Sequence, residues 1–343
     1  LNFAFLLGRI LKVEKIRVSI GSASVLGLGS IFKFKEPPTT CYLMTYKEGH
    51  CTANCGFCPQ ARSSSSSDEM LSRVTWPVFS FKEYLTKLKY LKPSKQFKRI
   101  CIQTLNYPEN FRDLMEIITQ IKTSVKIPIS VAIPPMSKDE LHQLKEAGVQ
   151  RVGIALDGTT PEIFSNIKGD GVGGPYKWEE HFQQLLQALK IFSEGYVSTH
   201  LIIGLGEREN EVISRIEELN NMQILVSLFA FTPIKGTKFA NFTQPPLLNF
   251  RKLQLGRHLI VYKGKNHSDF TFNSNGDIVR FNINKKELVD IIYGTDAFLT
   301  SGCPGCNRPY YTSKPSGPIY NYPRKLTEGE SGEIYNLLKN FVN

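Results

Sequence analysis

Three cysteines inside eight residues constrain this chain more than anything else in it. They stand in Cys51-Thr52-Ala53-Asn54-Cys55-Gly56-Phe57-Cys58-Pro59-Gln60, a C-x3-C-x2-C run with an aromatic just before the last cysteine. Three thiolates on one short loop hold three irons of a [4Fe–4S] cube and leave the fourth iron open. An open iron binds the amine and carboxylate of a small ligand. The bland alternative is zinc, but structural zinc takes four N/S ligands in paired motifs. A disulfide framework suits short secreted chains, not 343 residues with seven cysteines.

The rest of the composition bounds the setting. At 41% hydrophobic and 21% charged, the chain buries a sizeable core as one large or two ordinary domains. No apolar run approaches the roughly 20 residues that span a membrane. Leu1 to Leu11 are apolar, but Lys12, Glu14, Lys15 and Arg17 follow at once and no secretory cleavage pattern is present. The expected setting is therefore cytoplasmic, with no membrane partner. The formal net charge of +11 comes from dispersed lysines and arginines rather than one block, which argues against nucleic acid and leaves room for an acidic protein partner.

Residues 1–36 read as a partly helical N-terminal extension ended by Glu36-Pro37-Pro38. From there β-rich runs alternate with helical ones. The runs expected as strands are Cys41–Tyr46, Arg99–Gln103, Ile129–Ala132, Arg151–Leu156, Val197–Ile203, Ile224–Phe231, Asp269–Asn273 and Ala297–Thr300. Alternation of this kind predicts βα repeats on a parallel sheet. Eight strands predict an α/β fold of the (β/α)8 TIM-like barrel type over residues 37–312, with a C-terminal tail over 313–343 packing on it. Chemistry in such a barrel sits at the C-terminal ends of strands, and the cysteine loop follows the first one. The Ser63–Ser67 tract and the Gly169–Gly174 run read as mobile loops, since neither carries a phosphate-binding pattern.

With Tyr42 to His50 leading in and Cys58-Pro59-Gln60 closing it, the cysteine loop resembles that of the radical S-adenosylmethionine (SAM) superfamily, in its biotin synthase branch. The resemblance covers roughly Thr39 to Tyr311. It implies a [4Fe–4S] cluster on Cys51, Cys55 and Cys58, with SAM on the open iron. Reductive cleavage would give a 5′-deoxyadenosyl radical that takes a hydrogen atom from substrate. It also implies that Phe57 and the segment holding Gly204, Gly206 and Glu207 flank the adenosine, and that Asp157 meets the ribose or the substrate. An N-cap is the plain alternative for Asp157. The family's Gly-Gly-Glu after the second strand is replaced here by Gln103-Thr104-Leu105-Asn106, so Gln103 becomes the candidate for the methionine amine.

Four further cysteines bear on the reaction. Cys101 matches one ligand of the sulfur-donating cluster of biotin synthase, but Ser130 and Ser198 stand near where other cysteine ligands would be, so that cluster does not form in the same way. Cys303-Pro304-Gly305-Cys306 is a tight pair expected at the rim of the last strand, facing the same mouth as Cys51–Cys58. We read Cys303 and Cys306 as half of an auxiliary iron–sulfur cluster, with Cys101 as a third ligand and Cys41 as one only if the cluster lies deep. Ser301, Ser313 and Ser316 flank the pair as hydroxyl candidates.

Among such proteins the chain most resembles the archaeal biotin-synthase-like group that includes the two proteins acting together as a lipoyl synthase. That resemblance implies sulfur insertion into an octanoyl chain on an acidic carrier protein, a homologous radical SAM partner subunit, and an electron donor such as ferredoxin. The other readings are a one-cluster radical enzyme and a non-catalytic iron–sulfur partner protein.

Overall fold

The computed structural model describes residues 13–30 and 34–343; the expected N-terminal extension lies partly outside them. In chain order the elements are β1 (Lys15–Val18), α1 (Ile20–Leu26), β2 (Thr40–Thr45), β3 (Met70–Leu71), β4 (Val74–Thr75), β5 (Val78–Ser80), α2 (Phe81–Lys89), β6 (Arg99–Gln103), α3 (Asn110–Ser124), β7 (Ile129–Ile133), α4 (Lys138–Glu146) and β8 (Val149–Ile154). There follow α5 (Pro161–Lys168), α6 (Trp178–Phe192), β9 (Val197–Ile203), α7 (Glu209–Asn221), β10 (Leu225–Ala230), α8 (Leu247–Lys263), β11 (Phe270–Phe272), β12 (Ile278–Phe281), α9 (Lys285–Gly294) and α10 (Glu328–Leu338).

The central sheet has eight strands in the order β10-β9-β8-β7-β6-β2-β1-β5. Neighbours from β10 to β2 pair in parallel. The alternation read from the sequence therefore yields a mostly parallel, TIM-like α/β sheet. Two of its eight strands are not the expected ones. β1, expected within an extension, pairs antiparallel with β2 and β5 and extends the sheet. Asp269–Asn273 instead supplies β11 of a separate hairpin with β12, and Ala297–Thr300 forms no strand beyond a bridge from Leu299 to Tyr322.

The β10 edge is satisfied by side chains instead of a further strand. Arg257 Nε donates to the Val226 carbonyl (2.6 Å), the Leu228 N–H donates to Ser301 Oγ (3.2 Å), and Asn321 Nδ2 donates to the Leu228 carbonyl (3.1 Å). Filling the free ladder positions blunts an edge that would otherwise pair with another chain. The irregular segment 300–312 then runs from β10 to the head of β2, where the Thr39 N–H donates to Asn307 Oδ1 (3.0 Å) and the Arg308 N–H donates to Tyr42 OH (3.0 Å).

Side chains alternate across the strands. Ile100 and Ile102 of β6 are fully buried in the main core, while Cys101 and Gln103 line the central cavity. Helix starts are locally encoded: Ser137 and Glu140 close a capping box at α4, and Thr160 accepts from the Ile163 N–H at α5 with Pro161 next to it. The tail helix α10 packs on α8 and α9. No helix of the described residues is long and apolar enough to cross a membrane.

Candidate active site

The loop after β2 is pinned from several sides. The Cys51 N–H donates to the Gln60 carbonyl (2.9 Å), the Gly56 N–H to the Ile167 carbonyl (2.8 Å), and the Phe239 N–H to the Gly56 carbonyl (3.0 Å). A Cβ on Gly56 would stand 2.7 Å from the Phe239 ring, so only glycine lets the two loops approach this closely. Burial raises the Cys51 thiol, and the N–H groups of Asn106 (3.1 Å) and Ala53 (3.4 Å) that point at its Sγ offset part of that rise. The two glycine- and serine-rich segments expected to be mobile are part of this scaffold. Asn54 Nδ2 donates to the Val172 carbonyl, and the Ser65 N–H donates to the Gly236 carbonyl.

Cys55 and Cys58 line a central cavity of about 320 Å3 together with Phe57, Gln103 and Asp157. Cys101, Cys303 and Cys306 line the same cavity. The Cys303–Cys306 turn is not at the expected rim. Gly305 lies against the Lys98 side chain and its carbonyl accepts from Thr39 Oγ1, so the turn sits by the N-terminal ends of β6 and β2. The cysteine loop leaves the C-terminal end of β2; the cavity thus runs between two cysteine sets at opposite ends of the strands.

Cys41 is not part of either set. It is wholly buried on the helix-facing side of β2, with Sγ 3.7 Å from Tyr84 OH. The expectation of a deep ligand fails because neighbouring strand residues face opposite sides, and it is Tyr42 that looks into the cavity. Burial pushes the Cys41 thiol up to about 12.

All seven cysteines are free thiols. Burial raises Cys58 and Cys303, and takes Cys55 and Cys101 up to about 12. Among the described residues no three His, Cys, Asp or Glu side chains gather closely enough to share one metal ion. The lower set also has unused donors: Arg99 Nε and Nη1 and Arg308 Nε are buried without partners. No carboxylate lies within ion-pair distance of Arg99, Arg151 or Arg308 among the described residues. Burial opposes the charge on Arg308, but Cys306, Tyr42, Cys101 and Cys303 outweigh it and raise its pKa. A group rich in sulfide and thiolate charge fits this donor set.

Asp157 caps no helix, because Thr160 does that. Its carboxylate is buried between Lys168 Nζ (2.7 Å) and His200 Nε2 (2.8 Å). Burial alone would raise the carboxyl, yet Lys168 and His200 hold it well below the usual range. Lys168 was not singled out in the sequence, although it shares a helix face with the buried Phe164 and Ile167. A lysine on an apolar stripe was the available signal. Gly204, Gly206 and Glu207 stay outside the cavity wall. Glu207 folds back to accept the N–H groups of Gly204 (2.6 Å) and Leu205 (2.9 Å), which fixes the turn after β9. Phe57 packs with Ile202 and Phe231 instead.

Residues 49–219, about half of the chain, match the Radical SAM superfamily, and the chain belongs to that superfamily. Among curated proteins it is similar to the biotin synthase of Methanococcus vannielii, 27% identical over 209 residues covering 60% of this chain and 58% of that one. It is also similar to the biotin synthase of Streptococcus agalactiae, 25% identical over 207 residues and 58% of each. The match therefore spans less than two thirds of those relatives. Among solved structures, methylornithine synthase shares the fold at a TM-score of 0.52 and 16% identity, covering 71% of this chain and 67% of its own. The FeFe-hydrogenase maturase HydG from Carboxydothermus hydrogenoformans does so at 0.51 and 19%, covering 65% and 51%. Membership of the superfamily implies a [4Fe–4S] cluster and SAM, which Cys51, Cys55 and Cys58 are placed to hold.

Proposed function

We propose that this chain is a radical SAM sulfur-insertion enzyme acting on a protein-bound octanoyl chain, as one subunit of a lipoyl synthase. The observation that carries the reading is a single cavity with one cysteine set at each end. When bound, a [4Fe–4S] cluster with SAM would supply reductive cleavage of the sulfonium and, from it, hydrogen-atom abstraction. Cys51, Cys55 and Cys58 hold that group, and Phe57, Ile202 and Phe231 give its nucleoside an apolar wall. Gln103 offers an amide to the methionine end. Asp157, already ionised, offers a carboxylate oxygen to the ribose hydroxyls. Cys101, Cys303 and Cys306 hold the second cluster as the sulfur source. Substrate between the two ends is shielded from water, which keeps the radical from straying.

The dispersed positive charge suits an acidic carrier. A homologous radical SAM subunit for the second sulfur and a ferredoxin-type electron donor complete the proposal. The names of the curated relatives favour a second reading, sulfur insertion into the free precursor of biotin. Ser130 and Ser198, facing the cavity as hydroxyls, count against the same sulfur-donating cluster.

The test is anaerobic turnover of the reconstituted chain with SAM, dithionite and either an octanoyl-lysyl carrier domain or the biotin precursor. A mass gain of one sulfur on the carrier supports the first reading. Gain only on the free precursor moves the assignment to the second. Cleavage of SAM with no sulfur on either overturns both.

A further inference from the structure

A second cavity, of about 620 Å3, lies beside the central one. Tyr42, Arg308 and Tyr311 line both, so they form the partition between them. The side cavity is walled by Ile20, Val74, Trp76, Pro309, Tyr310 and Ile319. Charged groups, Lys35, Arg73, Arg308, Arg324 and Glu330, stand among these apolar ones. Trp76 is 1% exposed and its Nε1 has no partner, and Arg308 Nε is likewise buried and unpartnered. A buried indole N–H normally finds an acceptor, so an orphan in a cavity wall points to an acceptor that arrives with a ligand. The partition carries backbone strain: Arg308 and Tyr310 have φ of 32° and 58°, a region non-glycine residues seldom adopt. Lys35, Arg73 and Arg324 stand around this cavity against Glu330. Arg324 is held by Glu36 and Glu330, while Arg73 donates only to the Tyr310 and Ser313 carbonyls. Positive charge is therefore left over.

We propose that the side cavity binds a linear acyl chain tethered by an amide to an acidic carrier, and leads it past Tyr42, Arg308 and Tyr311 into the space between the cysteine sets. The proposal rests on the sulfur-insertion reading for the identity of the chain. A tethered substrate needs a lateral route, because its carrier stays outside while the chain reaches inward. Apolar wall residues suit the methylenes, and the free N–H of Trp76 suits the amide carbonyl that joins an acyl group to lysine. The surplus cations suit the carrier.

The experiment uses the full chain and a carrier peptide bearing N-octanoyl-lysine, with the N-acetyl-lysine peptide as control, in anaerobic calorimetry. Octanoyl should bind at least about tenfold more tightly than acetyl, since six further methylenes leave water. Val74→Trp and Gly21→Leu fill the side cavity, whose lining holds no cysteine. Each should weaken octanoyl binding about tenfold or more while iron content and melting temperature stay at the wild-type values. Equal binding of octanoyl and acetyl peptides, or unchanged octanoyl binding in both variants, overturns the proposal. Tight octanoyl binding lost in Val74→Trp, with no sulfur product from the wild type, keeps the side cavity and removes the sulfur-insertion reading. Sulfur product formed equally by wild type and Val74→Trp does the reverse.

Discussion

The two cysteine sets reach one cavity by opposite means. The upper set comes from a single loop, Cys51 to Cys58, whose thiols are held by backbone: N–H groups of Ala53 and Asn106 on Cys51, and a turn in which the Cys58 N–H donates to the Cys55 carbonyl. The lower set joins Cys101 on β6 to a turn some 200 residues later. Its support is side-chain chemistry. Because Tyr42 OH accepts the Arg308 N–H, its own proton is free for Cys306 Sγ at 3.2 Å. Charge differs as well. The upper set has Lys168 nearby, already matched by Asp157, whereas the lower set has Arg99, Arg151 and Arg308 with no carboxylate. A local motif can be held by its own backbone; a site assembled across the chain needs cations and hydroxyls to bring its thiols together.

The widest separation between the sets should appear in iron content and product. Cys55→Ala should abolish SAM cleavage and lose about four irons per chain. Cys303→Ala with Cys306→Ala should lose the remaining iron, keep 5′-deoxyadenosine formation, and abolish sulfur transfer. Iron assay and chromatography of the two products decide it. If the double variant keeps all its iron, the sets are not two clusters.

Next in size is the pair that serves the upper end. Lys168→Met strips the buried Asp157 of its main partner, and breaking a buried pair costs about 3–5 kcal/mol. Asp157 is a depressed carboxyl, so its contribution is complete above the unfolded value near ~3.9 and is lost as pH falls through the lower folded value. Without Lys168 the folded value rises towards the unfolded one, so less stability is lost on acidification. Unfolding of cluster-free protein in urea at several pH values reads both effects. An unchanged acid limb would mean that His200 alone suffices.

How much of this was legible in the sequence follows the same division. The upper set was legible because spacing within one loop is local information. So were the α4 capping box at Ser137 and Glu140 and six parallel strands, each encoded by neighbours. What failed was long-range. Ala297–Thr300 carries strand-like residues, but the β10 edge is filled by Arg257, Ser301 and Asn321, so no strand forms there and Cys303 and Cys306 fall to the lower end. Side-chain hydrogen bonds made across sequence distance leave no periodic trace.

Tyr42→Phe probes the side-chain support of the lower set at smaller cost. It removes the only acceptor that Arg308 N–H has and the O–H aimed at Cys306. A buried donor left unpaired costs about 1–3 kcal/mol. The lower cluster should keep its iron but shift its visible absorption, while the upper cluster's SAM cleavage is unchanged. No spectral change would show that Cys306 does not feel the phenol.

The smallest effect should come from Cys41, and it sharpens the contrast most. Cys41 pairs in register with Ile100 and Tyr42 with Cys101, so two thiols stand one residue apart in the ladder on opposite faces of the sheet. Cys41→Ala removes one sulfur from a packed core beside Tyr84, at about 1 kcal/mol by the scale for one buried methylene. Iron content, SAM cleavage and sulfur transfer should all stay at wild-type levels. Cys101→Ala, a change of the same chemistry one strand away, should lose lower-cluster iron. The pair of variants separates a thiol that fills space from one that faces a metal group, with sheet parity as the only difference between them. If Cys41→Ala also loses iron, β2 presents its other face to the cavity, and the placement of Tyr42 and of the whole lower set falls with it.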